Sequence, residues 1–252
     1  MPDDARPLVS RLVQRSRVYL RTYRQILASD ESAFSPNALT GYSVNVPIVG
    51  TCQPSKVCAE TCYAAASTLS TPDAIRRQSR VQTSQDVFPQ GFAARVVAEY
   101  DRLALPFLRW NGSGDLTAGA VAAINAISKQ RPDVRLWVVS RKPALAALIE
   151  EAPRVFLQFS LDGSSMDRRE KFLALQPRTS RYFFSYQCAK GEVPPEENLR
   201  GISVVYHNRN VFPPAWERRD ADCPICGPVM QEKTCHDCQR CFNGEAVAMR
   251  QG

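Results

Sequence analysis

The stretch RLWVVSRKPALAALIEEAPRVFLQFS, residues 135–160, decides the fold. It opens on an apolar run at 135–140 and closes on a second one at 154–160. Between them, residues 144–152 consist almost entirely of strong helix formers. Two short apolar runs joined by a helical segment predict parallel strands connected by a crossover helix. We therefore expect a βαβ unit at this point in the chain.

The same alternation continues on both sides of this unit. Further apolar runs occupy 106–110, 181–187 and 201–207, and a short alternating run, YSVNV at 42–46, precedes them all. Near-continuous apolar strands that alternate with helices indicate a mostly parallel α/β sheet covered by helices. Five or six such units are typical of a partial or full (β/α) barrel or of a doubly wound sheet. In each of these folds, ligands bind at the carboxyl ends of the strands.

Polar residues collect where the predicted strands end. Each belongs to a loop that needs turn residues anyway, but five consecutive loops with hydrogen-bonding groups favour a shared site. The two aspartates among them also suit helix N-caps. The candidate catalytic residues are Asp115, Lys142, Asp162 and His207, and the candidate cofactor-binding residues are Gly112, Ser113, Gly114, Asp115, Ser140 and Ser160.

Composition restricts the class of protein. The chain has 252 residues, of which 44% are hydrophobic, and its net charge is +7. No apolar run approaches the roughly 20 residues that cross a bilayer, and no secretory signal is recognisable, so we expect a cytoplasmic protein without a membrane partner. The positive charge permits a nucleic acid or nucleotide partner, although a solvated helix face explains it equally well.

Nine cysteines stand out in a chain without an export signal. A reducing cytosol keeps thiols free, so clustered cysteines there favour metal ligation over disulfides. Cys52, Cys58 and Cys62 lie within eleven residues, directly after the first predicted strand. The fourth ligand of this triple is left open: Cys188, a C-terminal cysteine, or none from the protein. In the last case, three thiolates on a 4Fe–4S cluster leave one iron free for a small molecule.

A second group of cysteines has the spacing C-x2-C-x8-C-x2-C-x2-C near the C-terminus. A four-cysteine zinc site would use the first four of them. The C-x2-C-x2-C run instead resembles ferredoxin-type 4Fe–4S ligation with Cys223 or Cys226 as the fourth ligand, and we favour this second interpretation. The predicted ligands of this group are Cys223, Cys226, Cys235, Cys238 and Cys241.

We expect three parts in the chain. Residues 1–40 form an N-terminal helical segment with an amphipathic helix at 7–28, and residues 41–215 form a (β/α) barrel-like core with its cysteine loop at 52–62. Residues 216–252 form a cysteine-rich metal-binding appendage. Within the core, further helices are predicted at 72–85, 91–105, 118–130, 144–152 and up to Leu175.

The chain resembles the phage gene-product-88 domain family. The motifs that carry the resemblance are GYSVNVP and TC…C…TCYA (41–64), RWNGSGDL (109–116) and CP…TCHDCQRCF (223–242). CYA, VVSRKP (138–143) and FSLDGS (159–164) also resemble radical S-adenosylmethionine-like proteins. That resemblance implies a partial barrel, and it gives Asp115 or the neighbouring carbonyls the role of holding the methionine amino group. The usual C-x3-C-x2-C spacing of that superfamily is replaced here by C-x5-C-x3-C.

Two classes of function follow. The first is a radical S-adenosylmethionine-like enzyme with a 4Fe–4S cluster on the N-terminal triple, an auxiliary cluster at the C-terminus and an external electron donor. Its substrate is not specified by the sequence. The second is a non-catalytic nucleic-acid-binding protein stabilised by zinc or by an iron–sulfur cluster.

Overall fold

A computed structural model describes residues 32–37, 41–65, 67–189 and 191–206, together with the backbone of 225–226. These residues form a mixed α/β structure around one sheet. The strands are β1 (Phe34–Ser35), β2 (Ser43–Val44), β3 (Leu108–Trp110), β4 (Leu136–Ser140), β5 (Val155–Leu161), β6 (Tyr182–Gln187), β7 (Ile202–Tyr206) and β8 (Ile225–Cys226). Each predicted core strand is therefore present, with bounds that differ from the predicted ones by at most two residues at either end.

The strands lie side by side in the order of the sequence, from β1 to β8. Only β1 runs antiparallel to its neighbour, and the pairs from β2 to β8 are parallel. In a doubly wound sheet, the strand order reverses at an internal switch point. The strictly sequential order here therefore excludes the doubly wound alternative. Within the described residues the sheet is open, since its edge strands β1 and β8 pair with one neighbour each.

Helices are present where the sequence predicts them at 72–85, 91–105, 118–130 and up to Leu175, but the helix predicted at 144–152 is cut short, and three short helices, Ile48–Thr51, Lys56–Glu60 and Glu196–Leu199, were not predicted. A helix was expected over 144–152, but the helix there ends at Ala146 because the next bonds, such as Leu148 N–H to Leu145 O, close over three residues. Asn125 then binds both Leu148 O (3.0 Å) and Glu150 N (3.1 Å), which holds the chain outside helical geometry. The helices are α1 (Ile48–Thr51), α2 (Lys56–Glu60), α3 (Pro72–Val87), α4 (Pro89–Arg102), α5 (Ala118–Gln130), α6 (Pro143–Ala146), α7 (Asp167–Ala174) and α8 (Glu196–Leu199).

One face of the sheet carries the main apolar core. Successive side chains of a strand point to opposite faces, and alternate residues of β3 to β7 join helical side chains in a single buried cluster. Right-handed crossovers between neighbouring parallel strands place their helices on the same face. Members of this cluster include Trp110, Val138, Phe159, Phe184, Ile124 and Phe172.

The opposite face, called the inner face below, is polar over much of its area. The Arg109 guanidinium stacks on Trp137 at 4.6 Å, and Trp137 Nε1 donates to Gln158 Oε1 at 2.8 Å. Gln158 Nε2 donates to Ser185 Oγ (2.8 Å), and the Tyr206 hydroxyl donates to Gln158 Oε1 (3.2 Å). A hydrogen-bonded ladder therefore crosses β4 to β7 on the face away from the helical core.

Two of the predicted parts lie outside the described residues: the helix at 7–28 and the cysteine-rich appendage, apart from the backbone of β8. In the described part of the chain, no helix has the length and hydropathy required to span a membrane.

Candidate metal centre at the strand ends

The cysteine loop, residues 52–62, follows β2 through a kinked turn. Gly50 in this turn has φ +88°, a conformation that favours glycine, and Cys52 then caps the turn by donating from its N–H to Ile48 O at 3.1 Å. Cys58 lies in the short helix α2, and Cys62 lies just beyond its end. All three cysteines are free thiols and partly exposed.

Two glycines after β3 allow the chain leading into the loop to approach closely. A Cβ on Gly114, whose φ is +76°, would lie 2.4 Å from Val46 O and 2.9 Å from Thr51 Oγ1. A Cβ on Gly112 would lie 2.7 Å from Asn45 Oδ1. The sequence NGSGD therefore provides a surface without side chains under the cysteine loop.

Backbone hydrogen bonds hold this contact. Val46 N donates to Ser113 O at 3.1 Å, and Asp115 N donates to Thr51 Oγ1 at 3.2 Å. Tyr63, directly after Cys62, donates from its hydroxyl to Gly112 O. Both ends of the cysteine loop are thus bound to the turn after β3.

The middle of the loop is held at β5 and β6 over sequence separations of more than 100 residues. The four bonds are Ser55 Oγ to Asp162 Oδ2, Val57 N to Ser164 Oγ (3.2 Å), Arg168 Nη1 to Gln53 O (2.8 Å) and Gln187 Nε2 to Thr61 Oγ1 (3.1 Å). The loop consequently lies across the carboxyl ends of several neighbouring parallel strands, the usual ligand-binding edge of such sheets.

The thiols lie near one another and near buried carboxylates. Burial and the negative charge of Asp115 raise the pKa of Cys52 to about 11, and the charges of Cys58 and Cys62 act in the same direction. Burial also raises the pKa of Cys58, against the positive charge of Arg141, which lowers it. In the absence of metal these two cysteines are protonated at neutral pH, and a metal must displace their protons to bind.

Asp115 is 4% exposed and binds the loops after β3 and β4 together. Its carboxylate accepts from Leu116 N (2.7 Å), Ser140 Oγ (2.7 Å) and Arg141 N (3.2 Å). Burial raises the pKa of Asp115 in spite of these bonds and of the nearby Lys142 charge. The helix that follows is capped by Thr117, so Asp115 is a cross-link between loops and not the N-cap that the sequence also allowed.

Asp162 is fully buried and forms the centre of a second network. It accepts from Ser55 Oγ, from Ser164 Oγ (2.8 Å) and from the Arg141 guanidinium (2.5 Å). Burial would raise the pKa of Asp162, but the bond from Ser55 and the positive charge of Arg141 outweigh it, so the pKa lies below its usual value. Asp162 therefore remains a carboxylate beside the thiols. The next helix has Met166 at its N-cap position, so Asp162 does not cap it either.

The remaining predicted site residues have separate positions. Lys142 Nζ donates to Leu116 O at 2.8 Å, which ties it to the β3 turn. Ser160 is 7% exposed and lies on the inner face in register with Ser185. Cys188, one of the open choices for a fourth ligand, is fully buried in the main apolar core. His207, Cys223, Cys235, Cys238 and Cys241 lie outside the described residues. The backbone of Cys226 is paired with Tyr206 in β8, at the same edge of the sheet.

Among the residues that the structure describes, no group of three or more His, Cys, Asp or Glu side chains has a geometry that could hold a metal ion. A single ion such as zinc requires its thiolates at about 2.3 Å from one centre. A 4Fe–4S cluster has a different requirement, since each cysteine binds its own iron and the thiolates are correspondingly further apart. The three free, partly exposed thiols of the loop would supply three of the four thiolates that such a cluster usually takes.

Comparison with known proteins gives one match. The family model described as gene product 88 matches residues 17–244, which is most of the chain. The chain belongs to the gene product 88 family. No curated protein and no solved structure matches it. The description of the gene product 88 family names no reaction or ligand, so the function has to be argued from the site itself.

Four residues at the site of this gene product 88 protein were not predicted as site residues: Ser55, Thr61, Arg141 and Gln187. Ser55 and Thr61 are ordinary caps of a short helix, and Arg141 follows β4 like any loop cation. The available signal was the pattern Gln158, Ser160, Asp162. It places polar residues at every second position from the middle of an otherwise apolar strand to just beyond its end, and so marks a polar face that points towards the site.

Proposed function

We propose that this protein is an iron–sulfur protein in which Cys52, Cys58 and Cys62 hold a 4Fe–4S cluster at the carboxyl edge of the sheet. The observation that carries the proposal is the cysteine loop itself, with three free thiols fixed across consecutive strand ends. Ordinary buried cysteines pack as small apolar side chains, as Cys188 does here. The three loop cysteines are instead partly exposed, and Cys52 and Cys58 lie close enough to the other loop thiols for their ionisations to influence one another.

We further propose a radical S-adenosylmethionine-like enzyme built on a partial (β/α) barrel. The sequential strand order, the single-sided helical core and the polar inner face all support this fold. A 4Fe–4S cluster with three protein ligands supplies one-electron chemistry at a fourth, open iron. The substrate would lie against the inner face, where hydrogen-bonding side chains are already placed beneath the loop.

Within this proposal the chain's own residues have definite tasks. Gly112 and Gly114 let the loop lie close to the β3 turn. Asp115 fixes that turn against β4. Arg141 brings a positive charge to a site whose thiolates, once ligated, carry negative charge.

Anaerobic reconstitution tests the first step. The full-length chain, treated with ferrous iron and sulfide, should become brown and absorb near ~400 nm, as protein-bound iron–sulfur clusters do. The triple variant Cys52→Ala/Cys58→Ala/Cys62→Ala should lose about four irons per chain relative to the wild type, whereas Cys188→Ala should lose none. A wild-type protein that binds only zinc and stays colourless would contradict the iron–sulfur proposal and favour a metal-stabilised binding protein. Retention of a nucleic acid probe by that colourless protein would then support the second class.

Calorimetric titration with S-adenosylmethionine tests the second step. Binding should require both the reconstituted cluster and an intact β3 turn. If the reconstituted wild type shows no binding, the radical mechanism is refuted while the iron–sulfur assignment stands.

A further inference from the structure

The helix that carries Cys58 has no apolar anchor. α2 contains five residues, none of them buried. Helices this short do not form on their own in water, because nucleation costs more than so few hydrogen bonds return. The position of Cys58 therefore depends on polar contacts at the two ends of α2.

Each end of α2 is capped by a side chain that binds outside the loop. At the N-terminus, Ser55 Oγ accepts from Cys58 N (3.2 Å) and donates to Asp162. At the C-terminus, Thr61 N donates to Val57 O (3.0 Å), and the Thr61 hydroxyl accepts from Gln187 Nε2 (3.1 Å). The two caps thus reach the ends of two different strands.

One side chain joins these two contacts. The Arg141 guanidinium donates through Nη1 to Asp162 Oδ2 (2.5 Å) and through Nη2 to Gln187 Oε1 (2.7 Å). Its side chain is 11% exposed, and that of Asp162 is fully buried. A continuous chain of hydrogen bonds therefore runs from Ser55 through the ends of β4, β5 and β6 to Thr61.

We propose that Arg141 is the positioning residue of the metal centre: it holds both caps of α2 and so sets where Cys58 and Cys62 stand relative to Cys52. The expected effect on metal binding rests on the proposed iron–sulfur function, whereas the positioning of the loop is a property of the chain alone. Arg141 acts through Asp162 and Gln187.

The role requires arginine in particular. Two donors on one planar fork reach acceptors on two different strands, whereas lysine offers a single ammonium on a flexible stem. Removing a side chain that orients a metal ligand typically lowers the metal affinity 10–100-fold. Arg141→Lys keeps the charge beside Asp162 and loses the link to Gln187, so it isolates the geometric effect.

The test compares full-length wild type, Arg141→Lys and Gln187→Met with Arg131→Lys as the control. Arg131 likewise donates to two side chains, the carboxylates of Asp101 and Asp133, each at 2.7 Å, but it lies outside the site. The first measurement is amide hydrogen exchange of metal-free protein. Exchange within 55–62 should rise about tenfold or more in both site variants and stay at the wild-type rate in Arg131→Lys, while the core strands keep their protection.

The second measurement follows iron loss from reconstituted protein to a chelator, together with the electron paramagnetic resonance spectrum of the reduced form. Arg141→Lys should lose iron about 10–100-fold faster and show a shifted spectrum, with an unchanged thermal melt. Unchanged exchange at 55–62 would overturn the inference whatever the metal does. If exchange at 55–62 rises in the two site variants but the wild-type protein binds no iron, the positioning role stands and the proposed function is refuted. Gln187→Met keeps the Arg141–Asp162 pair, so it remains informative if Arg141→Lys does not fold.

Discussion

Alanine at Gly114 tests whether the turn after β3 carries the cysteine loop. The substitution has two separable costs. At φ +76° an L-residue in left-handed geometry is destabilised by about 1–2 kcal/mol. The new Cβ would also lie 2.4 Å from Val46 O, a backbone atom that cannot rotate away, and forcing such a contact typically costs about 1–3 kcal/mol. We expect Gly114→Ala to lower the free energy of unfolding by about 2–5 kcal/mol.

Two other glycines separate these costs. Gly191 has φ +73° with nothing within 4 Å of a built Cβ, so Gly191→Ala should show the backbone cost alone, about 1–2 kcal/mol. The φ of Gly112 is not positive, but a Cβ there would lie 2.7 Å from Asn45 Oδ1 and Ser43 Oγ, so Gly112→Ala should show the steric cost alone. Urea unfolding followed by circular dichroism measures all three.

Metal binding provides the second assay of the same variants. Displacing Val46 moves the chain that leads to Cys52, so Gly114→Ala should bind less iron after reconstitution, whereas Gly191→Ala should match the wild type. The reasoning is refuted if Gly114→Ala is no less stable than Gly191→Ala, or if it binds iron equally well while destabilised as expected. The second result would show that the loop does not depend on this turn.

Three further predictions concern titratable groups at the site. Asp162→Asn should cost about 3–5 kcal/mol at pH 7, because Arg141 is left buried without its counter-charge. Since the folded-state pKa of Asp162 lies below the usual aspartate value of about 4, its contribution to stability is present above about pH 4 and lost as the pH falls, and acid titration of the variant should lack this loss. Metal-free Cys52, with its pKa raised from 9.0 to about 11, should react with iodoacetamide about 100-fold more slowly at pH 7 than an unperturbed thiol. Peptide mass spectrometry measures this rate, and a rate equal to that of an unperturbed thiol would show that Cys52 is not desolvated. Asp115→Ala leaves the Ser140 hydroxyl and the backbone N–H groups of Leu116 and Arg141 without their acceptor, at about 1–3 kcal/mol each, and a loss below 1 kcal/mol in urea unfolding would show that water replaces the carboxylate.

The sheet could be predicted because its signal is local. Apolar runs such as residues 135–140 and 154–160 identify the strands, and residues 118–130 form a helix over the whole predicted range. The sequence alone left the strand order open between a barrel-type and a doubly wound arrangement. The strand order depends on which strands pair with each other. Each pairing is a contact between residues distant in the sequence, and the apolar pattern within a strand does not indicate it.

The helix predicted at 144–152 failed for a related reason. Its residues favour a helix, but a side chain from another helix, Asn125, competes for the backbone groups of Leu148 and Glu150. Tertiary hydrogen bonds override helix propensity over a few residues, because propensity differences are only a few tenths of a kcal/mol each.

The candidate metal ligands could be predicted from the sequence, but the hydrogen bonds that hold the cysteine loop in place could not. Clustered cysteines are visible in any sequence, and Asp162 follows a strand where polar residues are expected. Ser55 and Asp162, however, meet across 107 positions, and Thr61 and Gln187 across 126. Nothing in the local pattern distinguishes these caps from the many serines and threonines that begin or end helices.

The kind of contact that holds the cysteine loop indicates what the loop is for. A segment that is retained for stability normally buries apolar side chains, whereas α2 buries none and Val49, just before Cys52, is 85% exposed. The loop is fixed instead by hydrogen bonds to Asp162, Gln187 and the β3 turn, which specify position and add little net stability. A fold that uses a buried ion pair and two close-packed glycines to hold three free thiols at its ligand-binding edge gains nothing from those thiols alone. The arrangement becomes favourable when a metal displaces the protons, and this is the physical reason to expect metal chemistry at Cys52, Cys58 and Cys62.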